Sequence, residues 1–208
     1  MTSWGTSLTA ARAISAQGRV PGTLFLTALV AALVLVGCDR APSRAGGGPA
    51  KDPFSQLDLL RATAPEPAPE FSVPDLTGRL LRLSGFRGQL VLLNFWATWC
   101  PPCRQEMPAM ERLYQRYRDR GFTIVAVSLD TNTVAVAPFV AQYELTFPIG
   151  LDPTSAVGEA YRVRVLPKTI LIDRGGQLVA VALGAREWDG PAAHALIEAL
   201  LSRGRPTP

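Results

Sequence analysis

The sequence predicts an α/β fold with helices packed on a central sheet, and three observations carry that prediction. Leu90–Trp96 is an apolar run broken only by Asn94, followed by apolar positions at Met107, Met110, Leu113 and Tyr114 that recur at helical spacing. Phe122–Ser128 is a second strand-like run rich in β-branched residues, which completes a strand, helix, strand unit. Further on, residues 169–173 and 177–183 flank an Arg-Gly-Gly turn, the pattern of a hairpin whose glycines supply the turn dihedrals.

Taken from the start, residues 1–37 contain Arg12 and Arg19, no acid, and an apolar run over 24–36. That run falls short of the roughly 20 residues a bilayer span needs, so the segment reads as an export leader, with an uncleaved anchor as the alternative. It ends in Leu35, Val36, Gly37 and Cys38, which resembles a bacterial lipoprotein processing box. Processing of that type cuts before Cys38 and lipidates its sulfur, and several acyl chains make a stable anchor. Asp39 is similar to the signal that retains such proteins on the inner membrane. The competing reading of Cys38 is an ordinary apolar leader residue.

The chain carries a formal charge of +4, but cleavage leaves all 17 acidic residues and removes two of the 21 basic ones. Arg104, Arg112, Arg116, Arg118 and Arg120 are interspersed with Glu111 and Asp119, which describes the wet face of a helix rather than a phosphate track. Nucleic-acid binding has no support.

Residues 38–69 are rich in Ala, Pro and Gly and read as a flexible tether, with at most one helical turn near Phe54 and Leu57. The folded domain is expected over 70–203, long enough for one core, with a short tail at 204–208. It opens with a hairpin, residues 71–73 and 80–83 around a turn at 75–78, and a helical turn at 84–88 precedes the first central strand. The helix after Cys100 should run to about Arg118, bent at Pro108 and closed by Gly121. A helix within 130–143 should bury Val134, Val136, Phe139, Val140 and Tyr143, ahead of an extended segment at 147–150 and a short helix at 153–161. Asp189 is expected to cap the last helix, with Pro191 in its first turn and Ala195, Leu196, Ala199 and Leu200 facing the sheet.

The chemistry centres on Cys100 and Cys103, the only thiols outside the leader, at the junction between the central strand and its helix. A thiolate at Cys100 is favoured by the unsatisfied amides and aligned dipoles of the helix start. Cys103 sits one turn along, close enough for a disulfide, while Pro101 and Pro102 stiffen the turn and tune the couple. A structural staple is a poor alternative, because a four-residue loop restrains little of the unfolded chain. Half a zinc site lacks further ligands, since the sole histidine, His194, is distant in sequence. No metal and no cofactor are expected.

The stretch FWATWCPPCRQEMP from Phe95, with VRVLPKTILIDRGG from Val163 and the intervening LDTNTVAVAPFVAQYELTFPIGLDP, resembles the thioredoxin-like family, specifically its membrane-tethered TlpA-type reductases, over about residues 70–202. The resemblance implies a central mixed sheet flanked by helices, an N-terminal hairpin and a helix-containing central insertion. It also implies that Cys100 is the exposed attacking cysteine and Cys103 the resolving one, that Pro167 is a cis-proline facing the disulfide, and that Leu166 offers its backbone to an extended substrate. Trp96 and Trp99 match the aromatic pair, the first as core and the second as a partly exposed wall.

Asn94 stands where thioredoxin has a buried aspartate that manages the resolving cysteine's proton, and Thr131 stands where some tethered members have a glutamate. Asp130 and Glu106 are therefore the candidate proton acceptors. Each also reads as an ordinary residue, Asp130 as a turn or cap and Glu106 as a solvated helix position beside Arg104. Lys168 reads either as a source of positive potential near the thiolate or as a solvated lysine, and His194 as a surface or packing residue.

The implied function is thiol-disulfide exchange through a mixed disulfide at the periplasmic face of the inner membrane, in the reducing direction. The implied partners are exported disulfides such as those of apocytochrome c or an oxidised isomerase, a membrane electron-donor protein, and the bilayer through Cys38; the protein is expected to act as a monomer. A thiol oxidase and a non-catalytic peptide-binding module on the same fold are the alternatives.

Overall fold

The computed structural model describes residues 52–203. The leader 1–37, the lipidation candidate Cys38, residues 38–51 and the tail 204–208 lie outside the described residues.

In chain order the elements are α1 (Pro53–Gln56), β1 (Leu60–Arg61), β2 (Ser72–Pro74), β3 (Leu80–Arg82), β4 (Leu90–Trp96), α2 (Pro101–Tyr117), β5 (Phe122–Ser128), α3 (Val136–Gln142), β6 (Ile149–Leu151), α4 (Ala156–Ala160), β7 (Lys168–Ile172), β8 (Leu178–Leu183) and α5 (Pro191–Arg203). Six strands form one sheet in the order β1-β8-β7-β4-β5-β6, and β2 pairs with β3 as a separate hairpin. The crossover helix α2 makes β4 and β5 parallel, whereas the tight turn between β7 and β8 makes that pair antiparallel, so the sheet is mixed. This is the thioredoxin-like architecture, with α3, β6 and α4 as the inserted region.

Every residue of β4 and β5 is buried, because both faces of the sheet are covered. Leu90, Leu92 and Trp96 point to one layer with Met107, Met110 and Leu113 of α2, Phe139 of α3 and Leu196, Ile197 and Leu201 of α5. Val91, Leu93 and Phe95 point to the other, with Val73 of the hairpin, Leu83 and Val157 of α4. This alternation decides which side chains can meet the cysteines, since one register step moves a residue through the sheet.

Three expectations need correction. The segment read as tether folds from Asp52 onward: Phe54, Leu57 and Leu59 are buried, and Leu60 and Arg61 pair with Val181 and Ala180 of β8. The gain is a covered sheet edge, which a two-residue strand achieves without any visible sequence period. Val134 is exposed because it belongs to a 3-10 turn at Thr133–Ala135, so the inner face of α3 begins at Val136. Asp189 does not cap α5; its carboxylate takes Arg112 Nε at 2.5 Å and His194 Nε2 at 3.1 Å, and the helix buries Ala193, Leu196, Ile197 and Leu201 while Ala195 stays exposed.

The helix α2 runs through Pro108, and Gly121, at φ 84°, reverses the chain after it. Among the described residues no helix is long and apolar enough to cross a membrane.

Candidate active site

Cys100 is the N-cap of α2, in extended backbone at φ −87° and ψ 106°, with Pro101 and Pro102 as the first two helical residues. Neither proline has an N–H, so the first amide of the helix belongs to Cys103, and it points at Cys100 Sγ at 3.3 Å. The same donor that meets the sulfur here stabilises a thiolate after reduction, in concert with the helix dipole. The two cysteines are joined as a disulfide with Cα atoms 5.3 Å apart.

Cys103 is fully buried, and Cys100, read from the sequence as exposed, is only 4% exposed. The difference between the two lies in direction: Cys100 reaches an open hollow of about 490 Å³ whose walls include Trp99, Pro101, Pro102, Val165 and Leu166. Trp99 is 67% exposed, an aromatic plate beside the sulfur, whereas Trp96 is buried with its ring 4.8 Å from that of Phe139. The Leu166–Pro167 peptide bond is cis, and the Pro167 carbonyl accepts from the Gly184 N–H at 2.8 Å.

The buried face of α2 that carries Cys103 also carries Glu106, the centre of a buried polar network that sequence reasoning placed only in part. Asn94 faces Thr169 across the β4–β7 ladder. Its Nδ2 donates to Thr169 Oγ1 and to Glu106 Oε1, both at 2.9 Å. Glu106 Oε2 accepts from Trp188 Nε1 at 3.0 Å and from the Arg186 N–H at 3.2 Å. Glu106 is thus not a solvated helix residue; it is 3% exposed, three positions past Cys103 on the same buried face of α2. Burial pushes its carboxyl up to about 7, against the opposing pull of the Arg186 N–H, Trp188, Asn94 and the Arg186 charge.

Asp130, the other candidate acceptor, is also buried, and its carboxylate is held by the turn before Cys100 and by the end of β5. It accepts from the Thr98 N–H at 2.9 Å, the Thr98 hydroxyl at 2.6 Å and the Ser128 hydroxyl at 2.7 Å. A carboxylate so saturated with donors clamps the loop that carries Cys100.

Lys168 is turned away from the sulfurs. It pairs with Phe95, on the opposite face of the sheet from Asn94 and Thr169, and its Nζ donates to the carbonyls of Tyr161 at 2.8 Å and Arg162 at 3.2 Å. Burial first, then Arg162 and Arg164, depress its pKa. His194 bridges Tyr117 Oη and Asp189, both at 3.1 Å, remote from the site in a packing role. Among the described residues no group of three or more His, Cys, Asp or Glu is placed to hold a metal ion.

Thr98, Ser128, Thr169, Arg186 and Trp188 were not singled out from the sequence. Helical spacing carries a signal for Glu106, since 103, 106, 107 and 110 share one face. Arg186 and Trp188 come from an irregular loop 80 and 82 residues away from Glu106, and no local pattern marks them.

A two-cysteine turn capping a helix, open at Cys100 and closed at Cys103, on a mixed sheet of this order defines a thioredoxin-like protein with a CxxC redox motif. The chain belongs to the AhpC/TSA family, whose model matches residues 65–181. It is similar to the thiol-disulfide oxidoreductase ResA of Bacillus thuringiensis, 44% identical over 112 residues that make up 54% of this chain and 65% of that one. It is similar also to ResA of Halalkalibacterium halodurans, 45% identical over 131 residues, 63% of this chain and 73% of the relative. The match to the Bacillus relative therefore spans just under two thirds of its length. Among solved structures, a thiol:disulfide interchange protein DsbE from Chlorobium tepidum superposes with a TM-score of 0.62 at 38% identity, covering 66% of this chain and 96% of that one. StoA from Bacillus subtilis gives a TM-score of 0.53 at 27% identity, covering 63% and 96%.

Proposed function

We propose that this protein reduces disulfides in exported proteins at the periplasmic face of the inner membrane, anchored by lipid on Cys38. The observation that carries the reading is the division of labour between the two sulfurs: Cys100 alone opens onto the hollow, and Cys103 is sealed one helical turn from a carboxyl held near neutrality.

In the reduced protein the Cys100 thiolate attacks one sulfur of a partner disulfide, forming a Cys100–partner bond and expelling the partner's other sulfur as thiolate. Glu106 then takes the Cys103 proton, and the resulting thiolate attacks Cys100 Sγ, restoring the Cys100–Cys103 disulfide and releasing the second partner sulfur. Two electrons pass from this dithiol to the partner, and a membrane electron-donor thiol protein returns them. A carboxyl near 7 suits the task, because it is part ionised as a base and part protonated as an acid at working pH. Trp99 and Val165 give the partner an apolar seat. Among the described residues the backbone of Leu166 has no hydrogen-bond partner, which leaves it available to an extended chain. The family resemblance supports the reducing direction and partners such as apocytochrome c or an oxidised isomerase; ResA and DsbE carry oxidoreductase and interchange in their own names.

The test is Cys103→Ser in the full chain in cells. It should accumulate mixed disulfides through Cys100 with exported proteins, and Cys100→Ser should not. Wild-type protein held as a disulfide at steady state would reverse the direction, and a protein without lipid on Cys38 would remove the anchor.

A further inference from the structure

Asn94 contains a buried anomaly. Its Nδ2 serves two acceptors, yet its Oδ1, sealed from solvent, has no partner. A buried carbonyl without a donor is a cost that a folded protein seldom carries without a reason.

The surroundings of Glu106 supply one. The Trp188 ring N–H and the Arg186 backbone N–H both point at Oε2, and neither group can turn round to become an acceptor. A proton arriving on Glu106 must therefore reside on Oε1, the oxygen that faces Asn94. There a new O–H meets an N–H₂, donor against donor. Of the three groups bonded to Glu106, only the amide of Asn94 can exchange donor for acceptor, by a half-turn about its last side-chain bond. That turn brings the idle Oδ1 toward Glu106 Oε1 and Thr169 Oγ1, and the threonine hydroxyl follows by rotating from acceptor to donor.

We propose that Asn94 is an amide switch: it donates to Glu106 when Glu106 is a carboxylate, turns over to accept from it when it is a carboxylic acid, and so positions the proton that leaves Cys103. The inference rests on the proposed role of Glu106 in resolution. The groups that interact with Glu106 are Asn94 from β4 and Arg186 and Trp188 from the loop before α5, with Thr169 of β7 reached through Asn94 and Cys103 three positions earlier on the same helix; the charged one is the Arg186 guanidinium. Asn94 acts as a positioning residue, through Glu106.

The chain has two asparagines, Asn94 and Asn132, so labelling asparagine with 15N yields two side-chain amide pairs, the exposed Asn132 serving as control. In the full chain in its oxidised form, with glutamate labelled at 13Cδ, pH is raised from 5 to 9. The Asn94 amide protons should shift, and exchange their proximity to Thr169, with the midpoint at which Glu106 ionises, while Asn132 stays constant. An Asn94 amide that keeps its proximities while Glu106 ionises overturns the switch, as does a Glu106 that does not titrate in this range. Asn94→Leu gives a second reading. If Asn94 bonds both forms, its loss moves the Glu106 midpoint by less than about one pH unit, whereas loss of a fixed donor to the carboxylate raises it by more. These titrations need no turnover, so a protein that fails to reduce disulfides would defeat the proposed function and leave the switch to be judged on its own spectra.

Discussion

Replacing Glu106 by Gln keeps the shape of the buried side chain and removes its ionisation, which makes the consequence calculable. Burial raises this carboxyl from 4.5 to about 7. Between those values the folded protein holds a proton that the unfolded chain has released, so stability is greatest below the unfolded value and declines as pH rises through the folded one. The difference is worth about 3 kcal/mol at pH 8, after allowing 1.36 kcal/mol for each pH unit. Denaturant midpoints of the oxidised protein should therefore fall from pH 5 to pH 8 in the wild type, with that part of the slope missing in Glu106→Gln. In single turnovers, decay of the Cys100 mixed disulfide should accelerate with pH through about 7 in the wild type, and should be slower by about a hundredfold or more in the variant. Equal pH slopes in both proteins, or an unchanged decay rate, would refute the assignment of Glu106 as the ionising acceptor.

Asp130→Ala should remove two hydrogen bonds from the loop before Cys100 and one from Ser128 at the end of β5, and cost about 2–3 kcal/mol in denaturant unfolding, with the Glu106 midpoint left in place; mixed-disulfide decay slowed as much as in Glu106→Gln would transfer the acceptor role to Asp130. Trp99→Ala should lower kcat/KM about tenfold for a peptide disulfide and leave a small-molecule disulfide unaffected; equal losses on both substrates would mean the ring shapes the site and is no docking wall. Arg186 binds the carbonyls of Leu57, Asp58, Leu183, Gly184 and Ala185 and the Asp58 carboxylate. Arg186→Met should speed hydrogen exchange in residues 57–61 and raise the Glu106 midpoint by removing positive charge, and an unchanged exchange pattern would show that the segment is held by its apolar contacts alone.

What the sequence revealed follows the physics of local signals. The apolar runs of β4 and β5 are long enough to bury on both faces, so their bounds were legible to the residue. The hairpin of β7 and β8 was legible within a residue or so because the turn glycines punctuate it. The placement of Cys100 at the start of α2 followed from the strand that ends before it. Glu106 was misjudged because Arg104, Arg112 and Arg116 colour its helix as solvated, and the partners that bury it arrive from the far end of the chain. Residues 52–61 were misjudged for a related reason: two residues of edge strand and three apolar anchors hold no period, and only the sheet edge they cover gives them structure. Asp189 looked like a cap by position, but Arg112 and His194 compete for its carboxylate and prevail.

The proposed cycle turns on attack by Cys100 and resolution by Cys103. Its most direct measurement is a rapid-quench single turnover of the reduced protein against a peptide disulfide, with acid trapping and mass analysis of the linked species. A transient adduct joined through Cys100, decaying into the Cys100–Cys103 disulfide and persisting in Cys103→Ser, is the predicted result. An adduct joined through Cys103, or peptide reduction by Cys100→Ser at the wild-type rate, would contradict it.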